Sequence, residues 1–447
     1  MQVISTIEQY HNLVPVLLTS DWIGYDLETT GLDPKLDKIL LVSISTAFDT
    51  YVLDFTKLDI CLLLELKPLF ESSFVIGANI TFDYRFLFWH TGIKIGSMTD
   101  IMVNEQVLTA GKFIPPIGKA RPFSLAAIAH RRLGITLDKD VREEFINYAG
   151  SLSEEAYIYA AQDTSILKAI YDQQLTEIRA HGLEQIHELE NSLLPVTAHM
   201  ELSGVLVDRE KLHSLEAPIE RYIETCNRVL QDLIIGNGAA NRIICGTTYS
   251  AINTASKPQV LEAFNLLGID IDSLEAKVLA KWDLRRNKET LARLENLLRV
   301  DEADIQTAIE EFGGYNNPYL RAYAFLVGAE KLLGTYVKGM QEKIHDDGRF
   351  YPWFRQCGAR STGRYSSNAQ QIPKNDKLER LGLKGLSIRE CFIAPKGRKL
   401  IIADFSAIEL VILADLSGDK RLTQEILHGD IHIVVTQEVL GTFFPIA

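Results

Sequence analysis

Residues 23–34 read IGYDLETTGLDP, and two carboxylates, Asp26 and Glu28, sit inside a run otherwise suited to burial. In an extended strand successive side chains alternate faces, so Ile23, Tyr25 and Leu27 point one way and Asp26 and Glu28 the other. The two acids share a face. Gly31 and the Asp33-Pro34 pair end the run, which sets the carboxylates near the end of a strand, just before a loop. An edge strand with a solvated acidic face carries the same D-x-E pattern, so the meaning of the pair depends on the acids that join it.

Two further acids stand at informative places. In VIGANITFDYRFL (75–87) a strand leads through Gly77 and Asn79 into a helix with Asp83 in its first turns. In YIYAAQDTSIL (157–167) Tyr159 and Asp163 are four residues apart and project from one helix face. Ser153, followed by Glu154 and Glu155, supplies a cap and an acidic first turn for that helix. Asp163 lies among Ala160, Ala161, Ile166 and Leu167, and a buried acid costs several kcal/mol unless something cationic answers it. Asp26, Glu28, Asp83 and Asp163 together are the oxygen ligands that a pair of hard cations, Mg²⁺ or Mn²⁺, requires. Two such ions roughly 4 Å apart activate a water and stabilise the leaving oxygen of a phosphodiester. Tyr159 is placed to orient the attacking water.

The remaining features bound the answer. A chain of 447 residues, 47% hydrophobic and 23% charged, has ordinary globular composition and room for about two to four domains. The start lacks a basic, uninterrupted apolar leader, and the most apolar stretch, KLIIADFSAIELVILADLSG, is broken by Asp404, Glu409 and Asp415, so the expectation is a soluble, cytoplasmic protein without a membrane partner. Cys61, Cys226, Cys245, Cys357 and Cys391 are scattered without C-x-x-C spacing, which argues against a disulfide framework or a structural zinc site. A net charge of −13 opposes nonspecific polyanion binding by the whole surface. Yet from Arg355 to Lys399 eleven Lys and Arg stand against three acids, a local basic track that either contacts a polyanion or is simply a solvated face.

Along the chain, residues 1–180 alternate β-rich runs (IGYDLE, KILLVSIST, TYVLDF, SFVIGAN) with helical patterns (TFDYRFLFWHTG, SLAAIAHRRLG, SEEAYIYAAQDTSILKAIYDQQL), which predicts an α/β domain with a mixed sheet. Residues 181–345 lose strand signals and read as a helical region. Residues 346–447 change again, with a basic loop, a strand KLIIAD and the helix-like AIELVILADLSGD.

With these residues in view, the first region resembles the proofreading 3′–5′ exonucleases of the DEDD type, tyrosine subclass, whose fold is ribonuclease H-like. D-x-E reads Asp26-Leu27-Glu28, N-x-x-x-D reads Asn79 to Asp83, and Y-x-x-x-D reads Tyr159 to Asp163. The rest of the chain is similar to the DNA polymerase I family (family A). HMELSGVLVD, INTASKPQVLEAFNLLGIDID and EKLLGTYVKGMQEKIHDDGRFYPWFRQCGARSTGRYSS resemble its mainly α-helical thumb and the passage to its α+β palm, and KLIIADFSAIELVILADLSGD resembles palm motif A. The resemblance implies catalysis by Asp26, Glu28, Asp83, Tyr159 and Asp163 with two divalent ions. It implies polymerase metal binding by Asp404, and DNA contacts, to single-stranded 3′ ends and primer–template duplex, from Asn79, Arg360, Arg364 and Gln371. Glu409 and His432 would line the nucleotide site.

Ala407 and Val411 depart from the family's usual Gln and Arg in motif A, and the passage RYSSNAQQIP is shorter than usual. No fingers helix and no later H-D-E motif follow TFFPIA (442–447), so the expectation is an exonuclease with an incomplete polymerase module, completed by a C-terminal polypeptide if at all. Two alternatives stand beside it. A stand-alone exonuclease acting on RNA would share the carboxylates but not the thumb and motif A patterns. A noncatalytic DNA-binding half of a split polymerase would have no use for all four acids and Tyr159.

Overall fold

The strand bearing Asp26 and Glu28 lies inside a six-stranded mixed sheet and not at its edge. β1 (Gln2–Ile4), β2 (Trp22–Thr29), β3 (Ile39–Ser45), β4 (Thr50–Asp54), β5 (Phe74–Gly77) and β6 (Ser97–Asp100) take the order β1-β4-β3-β2-β5-β6. β2 runs antiparallel to β3 and parallel to β5, and β5 and β6 are parallel. Four of these strands are the ones predicted. β1 and β6 are additions, too short to show an alternating pattern. This computed structural model describes residues 1–117, 120–137, 141–236, 243–244, 247–248, 252–286, 317–359, 362–375, 378 and 383–428.

Alternation along β2 sorts its two faces as expected. Ile23, Tyr25 and Leu27 enter a core with Tyr10, Leu17, Phe70 and Tyr84, against α1 (Ile7–Leu17), α2 (Lys67–Ser72) and α3 (Ile80–Thr91). The opposite face receives Leu40, Val52, Tyr159, Ala160 and Ala161. Around the β5–β6 end pack α4 (Ile101–Leu108) and α5 (Leu125–Leu133), and the acidic face of β2 is covered by α6 (Arg142–Ile146) and α7 (Glu154–Ser165), followed by α8 (Leu167–Ala180). The sequence predicts one continuous helix over the last two. The structure breaks it at Ile166, where the Thr164 and Ser165 hydroxyls donate to the Ala161 and Gln162 carbonyls and compete with the helical ladder.

Residues beyond 180 share cores with what precedes and follows them. On α9 (Glu184–Ser192), Asn191 accepts from the Asp100 backbone N–H at 2.9 Å, and on α10 (Leu194–Ser203) Leu194 and Ala198 belong to the first core. Helices then dominate, as predicted, through Glu216–Gly236, Lys257–Leu266, Ala276–Arg286 and Pro318–Lys331. Three short strands interrupt that expectation among the described residues: Ile243–Ile244 pairs with Thr247–Thr248, and the third pairs with more distant segments. Val205–Val207 pairs with Arg349–Phe350 on one side and Phe392–Ile393 on the other, and Val207, Met340, Phe350 and Cys391 fill one core. Met1–Ile393 thus forms one compact unit, and Ala394–Ala447 a second.

In the second unit Ile408–Ser417 and Lys420–His428 are helical. The predicted strand KLIIAD is not a strand here: residues 399–405 have no regular structure, and Ile401 and Ile402 are 93% and 91% exposed. A strand is held by its neighbours, and among the described residues of this unit there is none to pair with.

The turn into α3 is fixed from β6. Asp100, buried at the end of its strand, accepts from the Met102 N–H at 2.8 Å and so caps α4, while also accepting from the Asn79 and Ile80 N–H groups at 3.1 and 3.0 Å, which opens α3. Burial outweighs these bonds and lifts its carboxyl to about 6. A carboxyl raised on folding adds stability at low pH, and that contribution fades as pH rises through about 6. The stability of the natural protein relative to Asp100→Asn, read from urea unfolding, is therefore expected to fall by roughly 1 kcal/mol between pH 5 and pH 8. A difference independent of pH would contradict this account of Asp100.

Candidate active site

Four local solutions place the acids. Asp26 and Glu28 face α7 because β2 is regular up to the irregularity between Glu28 and Thr29. Asp83 enters from the first turn of α3, whose cap, Asn79, adopts the left-handed conformation at φ 62°. Asn tolerates that region better than most residues, and here it redirects the chain sharply from β5 into the helix. Asp163 comes from α7, whose N-cap Ser153 accepts from the Ala156 N–H.

The approach of α7 to the sheet depends on small residues. A Cβ on Gly24 would stand 2.8 Å from the Thr164 carbonyl, and Ser45, paired with Gly24 across β2 and β3, donates to the Thr164 hydroxyl at 2.9 Å. Gly24 and Ser45 form a seat for Thr164. The adjacent Asp163 is thereby lowered onto the acids of β2.

The result is a cluster in which oxygen atoms of Asp26, Glu28 and Asp163 all lie within 4.8 Å of one another, with Glu28 and Asp163 buried and Asp26 half-buried. Asp83 stands beside this trio. Pairing of β2 with β5 is last recorded at Gly24, and further along β2 the Leu27 N–H donates to Asp83 Oδ1 at 2.9 Å in place of a strand partner. Burial raises all three of the carboxyls of Asp26, Glu28 and Asp83 well above the usual range. For Asp26 the charge of Asp163 adds to it, and for Glu28 and Asp83 the charge of Asp26 does. Acids held this way favour anything that brings positive charge among them. The donor set, all oxygen and clustered within one ion's reach, fits a hard divalent cation.

Tyr159, one turn before Asp163, is buried with its ring 6.2 Å from that of Phe145. Burial and then the charge of Asp163 push its hydroxyl far above the usual phenol range, so it stays protonated. Its oxygen accepts a hydrogen bond from Arg142 Nε at 3.0 Å. Arg142 is the participant that reading the sequence missed. It heads a five-residue helix, in VREEFI (141–146), and looks like any surface charge. The one available signal was Phe145, an apolar residue in a charged run, which anchors that helix in the core beneath Tyr159.

The remaining expected residues are not gathered at this site. Arg364 and Gln371 are exposed, on the strand Arg364–Ser367 and on the turn after it. Arg355, Lys374 and Lys384 of the basic track are exposed as well, while Arg389 donates to the carbonyls of Ile372 and Pro373 and serves the fold. Asp404 and Glu409 belong to the second unit, where Ala407, at φ 48°, caps the helix that carries Glu409. Arg360 and His432 lie outside the described residues. Of the cysteines, Cys226, Cys357 and Cys391 are buried free thiols and Cys61 is exposed; Cys245 lies outside the described residues.

Comparison with known proteins agrees with this geometry. Residues 1–179 match the family model described as 3′-5′ exonuclease, and residues 292–444 match DNA polymerase family A. DNA polymerase I of Aquifex aeolicus is 25% identical over 95% of this chain and 65% of its own length. DNA polymerase I of Chloroflexus aurantiacus is 27% identical over 96% of this chain and 43% of its own. The chain thus spans between 43% and 65% of the length of these two relatives. Among solved structures, the polymerase domain of Pol1 from M. smegmatis, in complex with DNA primer-template and dNTP, superposes with a TM-score of 0.64 at 20% identity, covering 98% of this chain and 66% of that one, which shows a shared fold. The chain is thus similar to a 3′-5′ exonuclease over its first 179 residues and to DNA polymerase family A over residues 292–444, and it resembles bacterial DNA polymerase I along 95–96% of its length.

Proposed function

We propose that residues 1–180 remove nucleotides from the 3′ ends of DNA, and that residues 181–345 and 346–447 act as the thumb and as part of the palm of a polymerase module that grips primer–template duplex. The observation that carries this reading is the meeting of Asp26, Glu28 and Asp163 oxygens within 4.8 Å, beside Asp83 and beneath Tyr159. Asp26, Glu28, Asp83 and Asp163 would hold two divalent ions, Mg²⁺ or Mn²⁺. When bound, these would polarise a water and neutralise charge on the scissile phosphate.

The chain's own residues do the rest. Tyr159 accepts from Arg142, so its hydroxyl proton remains to direct the attacking water. The water oxygen forms the new P–O bond, the P–O3′ bond breaks, and the water's proton ends on the departing 3′ oxygen. The products are a nucleoside 5′-monophosphate and DNA shortened by one nucleotide. In the second unit Asp404 would bind the polymerase metals, with Glu409 and His432 at the nucleotide. The setting we infer is the cytoplasm, and no helix among the described residues is long and apolar enough to cross a membrane.

Asp26→Ala is expected to reduce Mn²⁺-dependent release of monophosphates from single-stranded DNA to background. Its melting temperature without metal should be equal to or above that of the natural protein, because one of the mutually repelling acids is gone. Undiminished cleavage would refute the assignment. Tyr159→Phe should keep the melting-temperature rise that Mn²⁺ produces and lose roughly 100-fold in rate; loss of the metal response would place Tyr159 among the ligands instead. Arg364→Ala should weaken binding to duplex with a recessed 3′ end and flatten its salt dependence by about one phosphate contact. An unchanged salt slope would leave the basic track as solvated surface.

A further inference from the structure

Arg142 is held in place more firmly than an exposed residue on a five-residue helix has reason to be. Phe145, one turn on, is buried at 2% exposure in the core that also contains Tyr159. Glu144 accepts from both the backbone N–H and the hydroxyl of Ser153, the cap of α7, with the hydroxyl bond at 2.7 Å. Short helix and catalytic helix are therefore clamped together. Arg142 then reaches over Tyr159 and spends only its Nε on the hydroxyl.

The rest of its guanidinium faces acids that it does not grip. The charges of Glu28 and Asp163 act on Arg142, and Arg142 opposes the rise of the Asp26 and Glu28 carboxyls, yet its one side-chain hydrogen bond among the described residues is to Tyr159. The side chain is exposed. An arginine in an acidic pocket ordinarily forms a bidentate ion pair with a carboxylate. Here no ion pair joins Arg142 to a carboxylate among the described residues, and the exposed guanidinium keeps its two Nη groups in the fork geometry that matches two oxygens of a phosphodiester.

We propose that Arg142 is a catalytic residue that binds non-bridging oxygens of the phosphodiester at the 3′ end of the substrate through its Nη groups, while its Nε fixes Tyr159. One contact positions the phosphate and the other positions the hydroxyl, so a single side chain sets their relative geometry. This inference rests on the exonuclease reading above and extends it to the recognition of the phosphate. Lysine cannot reproduce it, since a point charge supplies neither the fork nor a separate Nε donor.

The test measures single-turnover cleavage of single-stranded DNA with Mn²⁺ for the natural protein, Arg142→Gln and Arg142→Lys. It also measures binding of two oligonucleotides by each Arg142 form in an Asp163→Ala background, which removes hydrolysis. One oligonucleotide is unmodified; the other carries an uncharged methylphosphonate at its 3′-terminal linkage. We expect Arg142→Gln to slow cleavage by roughly 100-fold or more and Arg142→Lys to restore only a minor part. Arg142→Gln should weaken binding of the unmodified oligonucleotide about tenfold and leave the methylphosphonate oligonucleotide unaffected, a distinction that a purely structural role would not produce. Natural protein that cleaves, with Arg142→Gln equally fast, overturns this inference alone. Equal weakening for both oligonucleotides overturns the phosphate contact. Failure of the natural protein to cleave overturns the exonuclease reading and this inference with it.

Discussion

Carboxylates taken out of water close to one another repel, and each loses hydration on burial. Asp26, Glu28 and Asp163 are held in that condition, with Asp83 alongside, and burial is the largest influence on the carboxyls of Asp26, Glu28 and Asp83. Such an arrangement persists only if the surrounding scaffold is stable enough to enforce it. Much of residues 1–180 can be understood as that enforcement.

The sheet supplies rigidity where it is needed. β3, buried along its entire length, backs the strand that presents two of the acids. Gly24 and Ser45 remove side-chain volume so that Thr164 seats against the sheet and Asp163 meets Asp26. Asp83 is held to Leu27, and the turn that delivers it is tied to Asp100 by two backbone N–H groups. Asp100 is bound in turn through Asn191 on α9, so a helix C-terminal to the exonuclease region stabilises the entry to its catalytic helix. Among the described residues Arg142 is a positive charge that acts on this cluster, and it opposes the rise of the Asp26 and Glu28 carboxyls.

Legibility in the sequence followed the length and regularity of the signal. Asp26 and Glu28 were visible because a period of two in an eight-residue strand fixes their common face, and Tyr159 with Asp163 because four residues on a helix do the same. The sheet's outer strands were not, since QVI and SMTD are too short to establish a period. KLIIAD has every local preference of a strand, yet its state depends on a neighbour, which a single sequence does not disclose. Val205–Val207 escaped notice for the complementary reason: its partners lie more than a hundred residues away. Arg142 was hidden because its role arises from tertiary contacts of Glu144 and Phe145 and not from any spacing relative to the acids.

The central claim is that the cluster exists to hold divalent cations. Anomalous diffraction from crystals grown with Mn²⁺ tests it most directly, because manganese scattering marks the ions independently of any assay. The account predicts anomalous peaks in contact with the carboxylate oxygens of Asp26, Glu28 and Asp163, with Asp83 at the second position. Full-occupancy manganese elsewhere on the molecule, with no peak among these acids, would contradict it.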